Sequence, residues 1–161
     1  MEKHEINISF EVYAGISELP IADAELLSEA RNVTKLAYAP YSHFYVGAVA
    51  MMSNGEIVSG TNQENASFPA GICAERVLLS AASSVYPGES IDTLAISYFG
   101  EGKKSTHPLA PCGICRQSLV EFEERFKQPI RLILGGLEGE VYIFDSARKL
   151  LPLEFSGDDL R

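Results

Sequence analysis

Residues 71–85, Gly71-Ile72-Cys73-Ala74-Glu75-Arg76-Val77-Leu78-Leu79-Ser80-Ala81-Ala82-Ser83-Ser84-Val85, are rich in alanine, leucine and serine. They predict a buried helix with Cys73 in its first turn. Upstream, residues 45–52 and 56–61 read as strands flanking Ser53-Asn54-Gly55, a hairpin turn signal because Asn-Gly accepts the backbone conformation such turns need. Downstream, residues 91–99 read as another strand, and a loop of Gly, Lys, Ser, His and Pro follows. Gly113 to Phe126 predicts an amphipathic helix, residues 130–135 and 140–144 two more strands, and residues 146–151 a short closing helix. Nearer the start, a helical pattern from Asp23 carries Leu26, Leu27, Ala30, Val33, Thr34 and Ala37 on one face until Pro40 ends it.

Residues 6–13 alternate Ile6, Ile8, Phe10 and Val12 with Asn7, Ser9, Glu11 and Tyr13, the pattern of a half-buried strand. Strands alternating with helices predict a single three-layer α/β/α domain around a mixed five-stranded sheet, to which residues 6–13 add either an extra N-terminal edge strand or a brace for a subunit contact. No internal repeat or low-complexity linker interrupts it. Residues 1–20 are expected to be an N-terminal extension and residues 21–161 the main domain.

The chain has 161 residues, of which 46% are hydrophobic and 22% charged, ordinary for a globular domain. No apolar stretch approaches the roughly 20 residues that span a bilayer. Met1-Glu2-Lys3-His4-Glu5 lacks the basic start and apolar run of a signal peptide, so a cytoplasmic location and no membrane partner are expected. The net charge of -9 argues against nucleic acid, whose binders carry basic stripes that neutralise phosphates. Lys103-Lys104 is the nearest approach to one, and it reads as a solvated loop pair. A small neutral substrate suits this charge better.

Three cysteines in a reducing compartment point to metal or catalysis before disulfides. They fall in Cys73-Ala74-Glu75 and Pro111-Cys112-Gly113-Ile114-Cys115, each where a helix is expected to begin. Backbone N–H groups and the helix dipole there favour thiolates. Three thiols are one short of a closed structural zinc site, and match a catalytic zinc with three protein ligands and an open position for water. Glu75 is the carboxylate that would serve that position without being a ligand. Cys112-x-x-Cys115 alone also fits a redox pair, but that reading leaves Cys73 and Glu75 unexplained. His4, His43 and His107 are the alternatives for a fourth ligand, and none has ligand spacing to either motif. Arg76 and Arg116, each beside a motif, are candidates to offset thiolate charge through the ligand sulfurs.

These motifs resemble the zinc-dependent cytidine deaminases, in the branch with all-cysteine ligands that acts on free nucleosides. Ala39-Pro40-Tyr41-Ser42-His43-Phe44, Asn62-Gln63-Glu64-Asn65-Ala66 and Phe68-Pro69-Ala70-Gly71-Ile72 strengthen the likeness, which runs from about Leu26 to Leu160. The resemblance implies one Zn²⁺ per subunit on Cys73, Cys112 and Cys115. It also implies hydrolytic deamination of cytidine and 2′-deoxycytidine, by zinc-activated water with Glu75 as proton shuttle. Asn62 and Glu64 would hold the ribose, Phe44 would pack near the base, and backbone groups around Ala74 would read the base edge. Phe68 stands where many relatives carry tyrosine, so a phenolic hydrogen bond there is lost. Phe155 would reach a neighbouring subunit's site in a homotetramer, with a dimer as the alternative. A role in pyrimidine salvage follows from the same resemblance. Two rivals are a deaminase of another aminated heterocycle, such as a nucleoside antibiotic, and a non-catalytic zinc-stabilised module.

Overall fold

The Asn54-Gly55 turn forms as its residues demand. Gly55 takes φ +83° and its N–H donates to the Met52 carbonyl at 2.9 Å. In the computed structural model, which describes residues 1–160, this turn joins β2 (Phe44–Met52) to β3 (Ile57–Thr61). The other elements are β1 (Glu11–Tyr13), α1 (Ile21–Val33), α2 (Ala74–Val85), β4 (Ile91–Gly100), α3 (Gly113–Phe126), β5 (Arg131–Gly135) and β6 (Val141–Phe144). They form one six-stranded sheet in the order β1-β6-β5-β4-β2-β3. Only β4 and β5 are parallel, and α3 makes the crossover between them.

Period-2 alternation divides the strand residues between two helical layers. On one face Leu27, Ala30 and Val33 of α1 pack on Val49, Ala95 and Ile133. On the other, Leu78 of α2 and Leu119 of α3 pack on Ala48, Leu94, Ile96 and Leu132. Full burial of each leucine contributes about 1.5–3 kcal/mol. The expected three-layer α/β/α arrangement and mixed sheet are present, with β1 as the sixth, N-terminal strand. That strand is shorter than the alternation over residues 6–13 predicts. Its partner β6 has four residues, and pairing covers only Glu11 to Tyr13. Phe10 lies just outside the ladder, its ring 4.9 Å from those of Tyr142 and Phe144. The closing helix of residues 146–151 is a single 3-10 turn at Ala147–Leu150. No helix among the described residues is long and apolar enough to cross a membrane. Arg161 lies outside the described residues.

α2 sits against β3 through Gly60. A Cβ there would meet the Ala74 carbonyl oxygen at 2.4 Å and the Leu78 nitrogen at 2.5 Å. Glycine is therefore what lets the start of α2 approach the sheet.

The end of α3 is held by Glu123, a buried carboxylate. It accepts from the Ile130 N–H at 2.7 Å, the Ala147 N–H at 2.8 Å and the Ser146 hydroxyl at 3.0 Å. Glu123→Ala removes the acceptor from two buried backbone donors at once. We expect it to cost about 2–5 kcal/mol of folding stability, measurable by denaturant unfolding. Glu123→Gln, which keeps a carbonyl oxygen, should cost less.

Candidate metal and catalytic site

Cys73 and Cys112 are the N-cap residues of α2 and α3, and Cys115 lies in the first turn of α3. The helix starting at Ala74 is shorter than residues 71–85 suggest, because Ile72 is taken up elsewhere. It exchanges two backbone hydrogen bonds with Gln63, at 2.9 and 3.0 Å. This small ladder ties the Asn62–Glu64 segment directly to the entry of the cysteine helix.

The three ligand atoms lie within 4.8 Å of one another. Sγ of Cys112 is 3.7 Å from that of Cys73 and 3.5 Å from that of Cys115. A tetrahedral zinc with bonds of about 2.3 Å sets sulfurs about 3.8 Å apart, so the trio fits zinc with little adjustment. The electrostatics agree. The Cys73 thiol is pulled down to about 6, first by the hydrogen bond from Cys115. Cys115 is pushed up, chiefly by that same bond and by burial. Three sulfurs this close cannot all carry charge unless a cation joins them, which is the chemistry of a metal site.

Glu75 is buried at 5% exposure and lies against the same sulfurs, near enough to accept from Cys115. Burial raises its carboxyl above the ordinary range, the shift expected of a group that must both take and give a proton. Arg76 acts on the site through its charge, which lowers the Cys73 thiol. Arg116, beside Cys115, is held by two backbone carbonyls. Its Nε donates to the Pro111 carbonyl at 2.8 Å and its Nη1 to the Leu150 carbonyl at 3.0 Å, bracing the cysteine loop against the C-terminal segment.

Asn62 bridges the first residues of β2. Its Oδ1 accepts from Val46 N–H at 2.7 Å and its Nδ2 donates to the Phe44 carbonyl at 2.9 Å. One of its two amide hydrogens remains for a ligand. Glu64 Oε2 accepts from the Tyr41 and Ser42 N–H groups at 2.9 and 3.2 Å. Its carboxyl is lowered, first by the Ser42 side chain, with desolvation opposing it and the Tyr41 and Ser42 backbone donors adding to the lowering. A concavity of about 360 Å³ lined by Tyr41, Ser42, Glu64, Asn65 and Phe68 lies beside it. The exposed Phe68 ring meets Tyr41 edge-on at 6.1 Å.

Phe44 stacks on Tyr98 of β4, with ring centroids 5.2 Å apart. Ala74 is buried beneath the site, its carbonyl facing Gly60. Phe155 is 58% exposed, and its carbonyl accepts from Gln117 Nε2 of α3 at 2.8 Å. The larger groove of about 610 Å³ between α2 and α3 includes Arg76 and Gln117 but neither the thiols nor Glu75. Sequence reasoning missed the contact of Tyr98 with His107, whose Nδ1 is 3.0 Å from the phenol oxygen. No spacing signal links a strand residue to a histidine in the following loop.

Two thiol-bearing helix starts around a buried glutamate define a zinc-dependent deaminase site. The profile of the cytidine and deoxycytidylate deaminase zinc-binding region matches residues 20–128, and the chain belongs to that family. It is 36% identical over 135 residues to a cytidine deaminase of Halalkalibacterium halodurans, covering 84% of this chain and 95% of that one. A crystal structure of cytidine deaminase from Burkholderia pseudomallei superposes with a TM-score of 0.70 at 36% identity, covering 81% of this chain and 97% of that one. The cytidine deaminase of Mycobacterium tuberculosis gives a TM-score of 0.63 at 32% identity, covering 81% and 94%.

Proposed function

We propose that this chain hydrolyses cytidine and 2′-deoxycytidine to the uridine forms and ammonia, as a cytoplasmic homotetramer in pyrimidine salvage. The observation that carries the reading is a buried Glu75 beside three thiols that lie within 4.8 Å of one another. Cys73, Cys112 and Cys115 hold one zinc per subunit, and Arg76 moderates their charge. When bound, zinc supplies a Lewis acid that brings the pKa of water towards neutrality.

Glu75 accepts a proton from the attacking water as its oxygen adds to C4 of the pyrimidine. Glu75 then delivers that proton to N3. It next moves the remaining hydroxyl proton to the exocyclic amine, the C4–N4 bond breaks, and ammonia leaves with a carbonyl at C4. Burial suits Glu75 to this shuttle, because a raised carboxyl is a stronger base towards the attacking water and still a strong enough acid to protonate the pyrimidine and its amine.

Asn62 donates its remaining N–H to a sugar hydroxyl and Glu64 accepts from one, while Phe44 packs against the base and the backbone of Ala74 meets its edge. Phe155 acts as a lid on the site of a neighbouring subunit, a role supported by an exposed ring on an anchored backbone. Arg116 keeps that C-terminal segment in place. Residues 1–20 are an extension to the catalytic unit of residues 21–161, a division supported by the family match starting at residue 20.

Glu64→Ala should raise KM for cytidine about 10- to 100-fold, the value of a hydrogen bond to a charged group, with kcat changed less. Steady-state kinetics would show this. The substrate class is tested by turnover on cytidine, 2′-deoxycytidine, adenosine and a cytosine-containing oligonucleotide. Activity confined to the first two supports the reading. Deamination of adenosine or the oligonucleotide in preference to cytidine contradicts it, and bound zinc with no ammonia from any of them indicates a non-catalytic zinc module.

A further inference from the structure

β2 and β4 pair antiparallel, with Phe44 opposite Gly100 and Val46 opposite Tyr98. Residues 94, 96 and 98 of β4 alternate onto one face, the face that Leu94 and Ile96 share with α2 and α3. Tyr98 therefore stands at the end of the sheet from which the chain leads into Cys112 and α3. It is 2% exposed, and its ring stacks on Phe44 at an interplanar angle of 25°. It also meets the His107 ring, 5.5 Å between centroids and tilted by 60°.

The loop that carries His107 is pinned just before it. Ser105 Oγ donates to the Tyr98 carbonyl at 2.6 Å and accepts from the Leu137 N–H at 3.0 Å, and its carbonyl accepts from Glu138 N–H at 3.0 Å. His107 follows two residues after this anchor and five before Cys112, so its backbone has little freedom to leave the site. Its side chain is held by the phenol. The phenol oxygen lies 3.0 Å from Nδ1 and 3.4 Å from Nε2, so the ring nitrogen that lacks the proton accepts from the Tyr98 O–H and the other keeps its N–H. His107 is itself exposed, an imidazole open to a ligand but seated on a buried phenol.

We infer that Phe44, Tyr98 and His107 form one wall of the substrate pocket, in which Tyr98 is a positioning residue that fixes His107 to donate to an acceptor oxygen of the bound pyrimidine nucleoside. The inference rests on the nucleoside reading above. A phenol buried to this degree needs a hydroxyl partner, and a histidine on a pinned loop supplies it. Asn62, which bonds the Phe44 carbonyl, ties the far end of the wall to the proposed sugar site.

The test is a mutant cycle of Tyr98→Phe, His107→Ala and the double variant in the zinc-loaded protein, with KM and kcat for cytidine and thermal unfolding for each. His107→Ala should raise KM about 3- to 10-fold with kcat within about twofold of wild type. Tyr98→Phe keeps the stacked ring and should raise KM by less. The double variant should match His107→Ala, because Tyr98 acts only through His107. An unchanged KM in His107→Ala overturns the inference even if the melting temperature falls, as do KM effects that multiply in the double variant. Wild-type activity in the same assay separates the two levels. A wild-type protein inert on cytidine defeats the nucleoside reading and this inference with it, whereas an active one with an indifferent His107→Ala defeats the inference alone.

Discussion

Glu75→Gln is expected to retain its zinc and to lose about 10²- to 10⁴-fold in turnover on cytidine, the contribution usual for a positioned acid–base group. The amide has the size and shape of the carboxylate, so the start of α2 and the three thiols should stay where they are. What disappears is the ability to take a proton and return it. The same variant has a second, opposite signature. Burial raises the Glu75 carboxyl, so its folded-state value exceeds its unfolded one. For a group raised in this way, stability is fully present below the unfolded pKa and is lost as pH rises through the folded value. A glutamine carries no charge at any pH. With metal stripped by a chelator, Glu75→Gln should therefore melt higher than wild type at pH 7, and the advantage should vanish below about pH 4. Loss of activity together with gain of stability is what a group held in an unfavourable environment for catalysis produces. Thermal unfolding at the two pH values, beside zinc content and turnover, checks all of it.

Gly60→Ala is expected to disrupt the metal site as well as the fold, through a single added methyl group. Its Cβ would lie 2.4 Å from the Ala74 carbonyl oxygen and 2.5 Å from the Leu78 nitrogen. Both are backbone atoms of α2, so no rotamer change relieves the clash. The helix must move away from β3, and Cys73 at its N-cap moves with it while Cys112 and Cys115 stay with α3. Overpacking of this kind costs about 1–3 kcal/mol and sometimes more. The distinguishing result is a fall in zinc affinity as well as in stability, since one of three ligands is displaced relative to the other two. Stability lost with unchanged zinc affinity would mean that α2 and α3 shift together.

Much of this architecture is legible in the residues. The Asn54-Gly55 turn, the helix from Gly113 to Phe126 and the layer order follow from local patterns, and those local patterns agree with the tertiary packing. The alternation of residues 6–13 reads as a strand along its whole length, but a strand extends only as far as its partner, and β6 is four residues long. The start of α2 is displaced from residue 71 to residue 74 by the bridge between Ile72 and Gln63, a pairing that no local signal announces.

At the site, the cysteines and Glu75 are readable because metal and proton chemistry restrict residue type and spacing. Arg116 is not readable in the same way. Its position beside Cys115 suggests a sulfur, but the carbonyls of Pro111 and Leu150 come within its reach only after folding. Asn62 likewise fits a sugar ligand by its motif, while its bonds to Phe44 and Val46 show that it also fastens β3 to β2. Tyr98 and His107 meet through a strand and a loop, and long-range contacts of that kind leave no periodic trace.

The central claim is that three thiols and one buried glutamate make a hydrolytic deaminase. It is tested most directly by measuring ammonia released and cytidine absorbance lost in one reaction, on protein of known zinc content, for wild type and Glu75→Gln. Zinc-loaded wild type should yield equal amounts of ammonia and uridine, and Glu75→Gln carrying the same zinc almost none. Undiminished turnover by Glu75→Gln would contradict that claim.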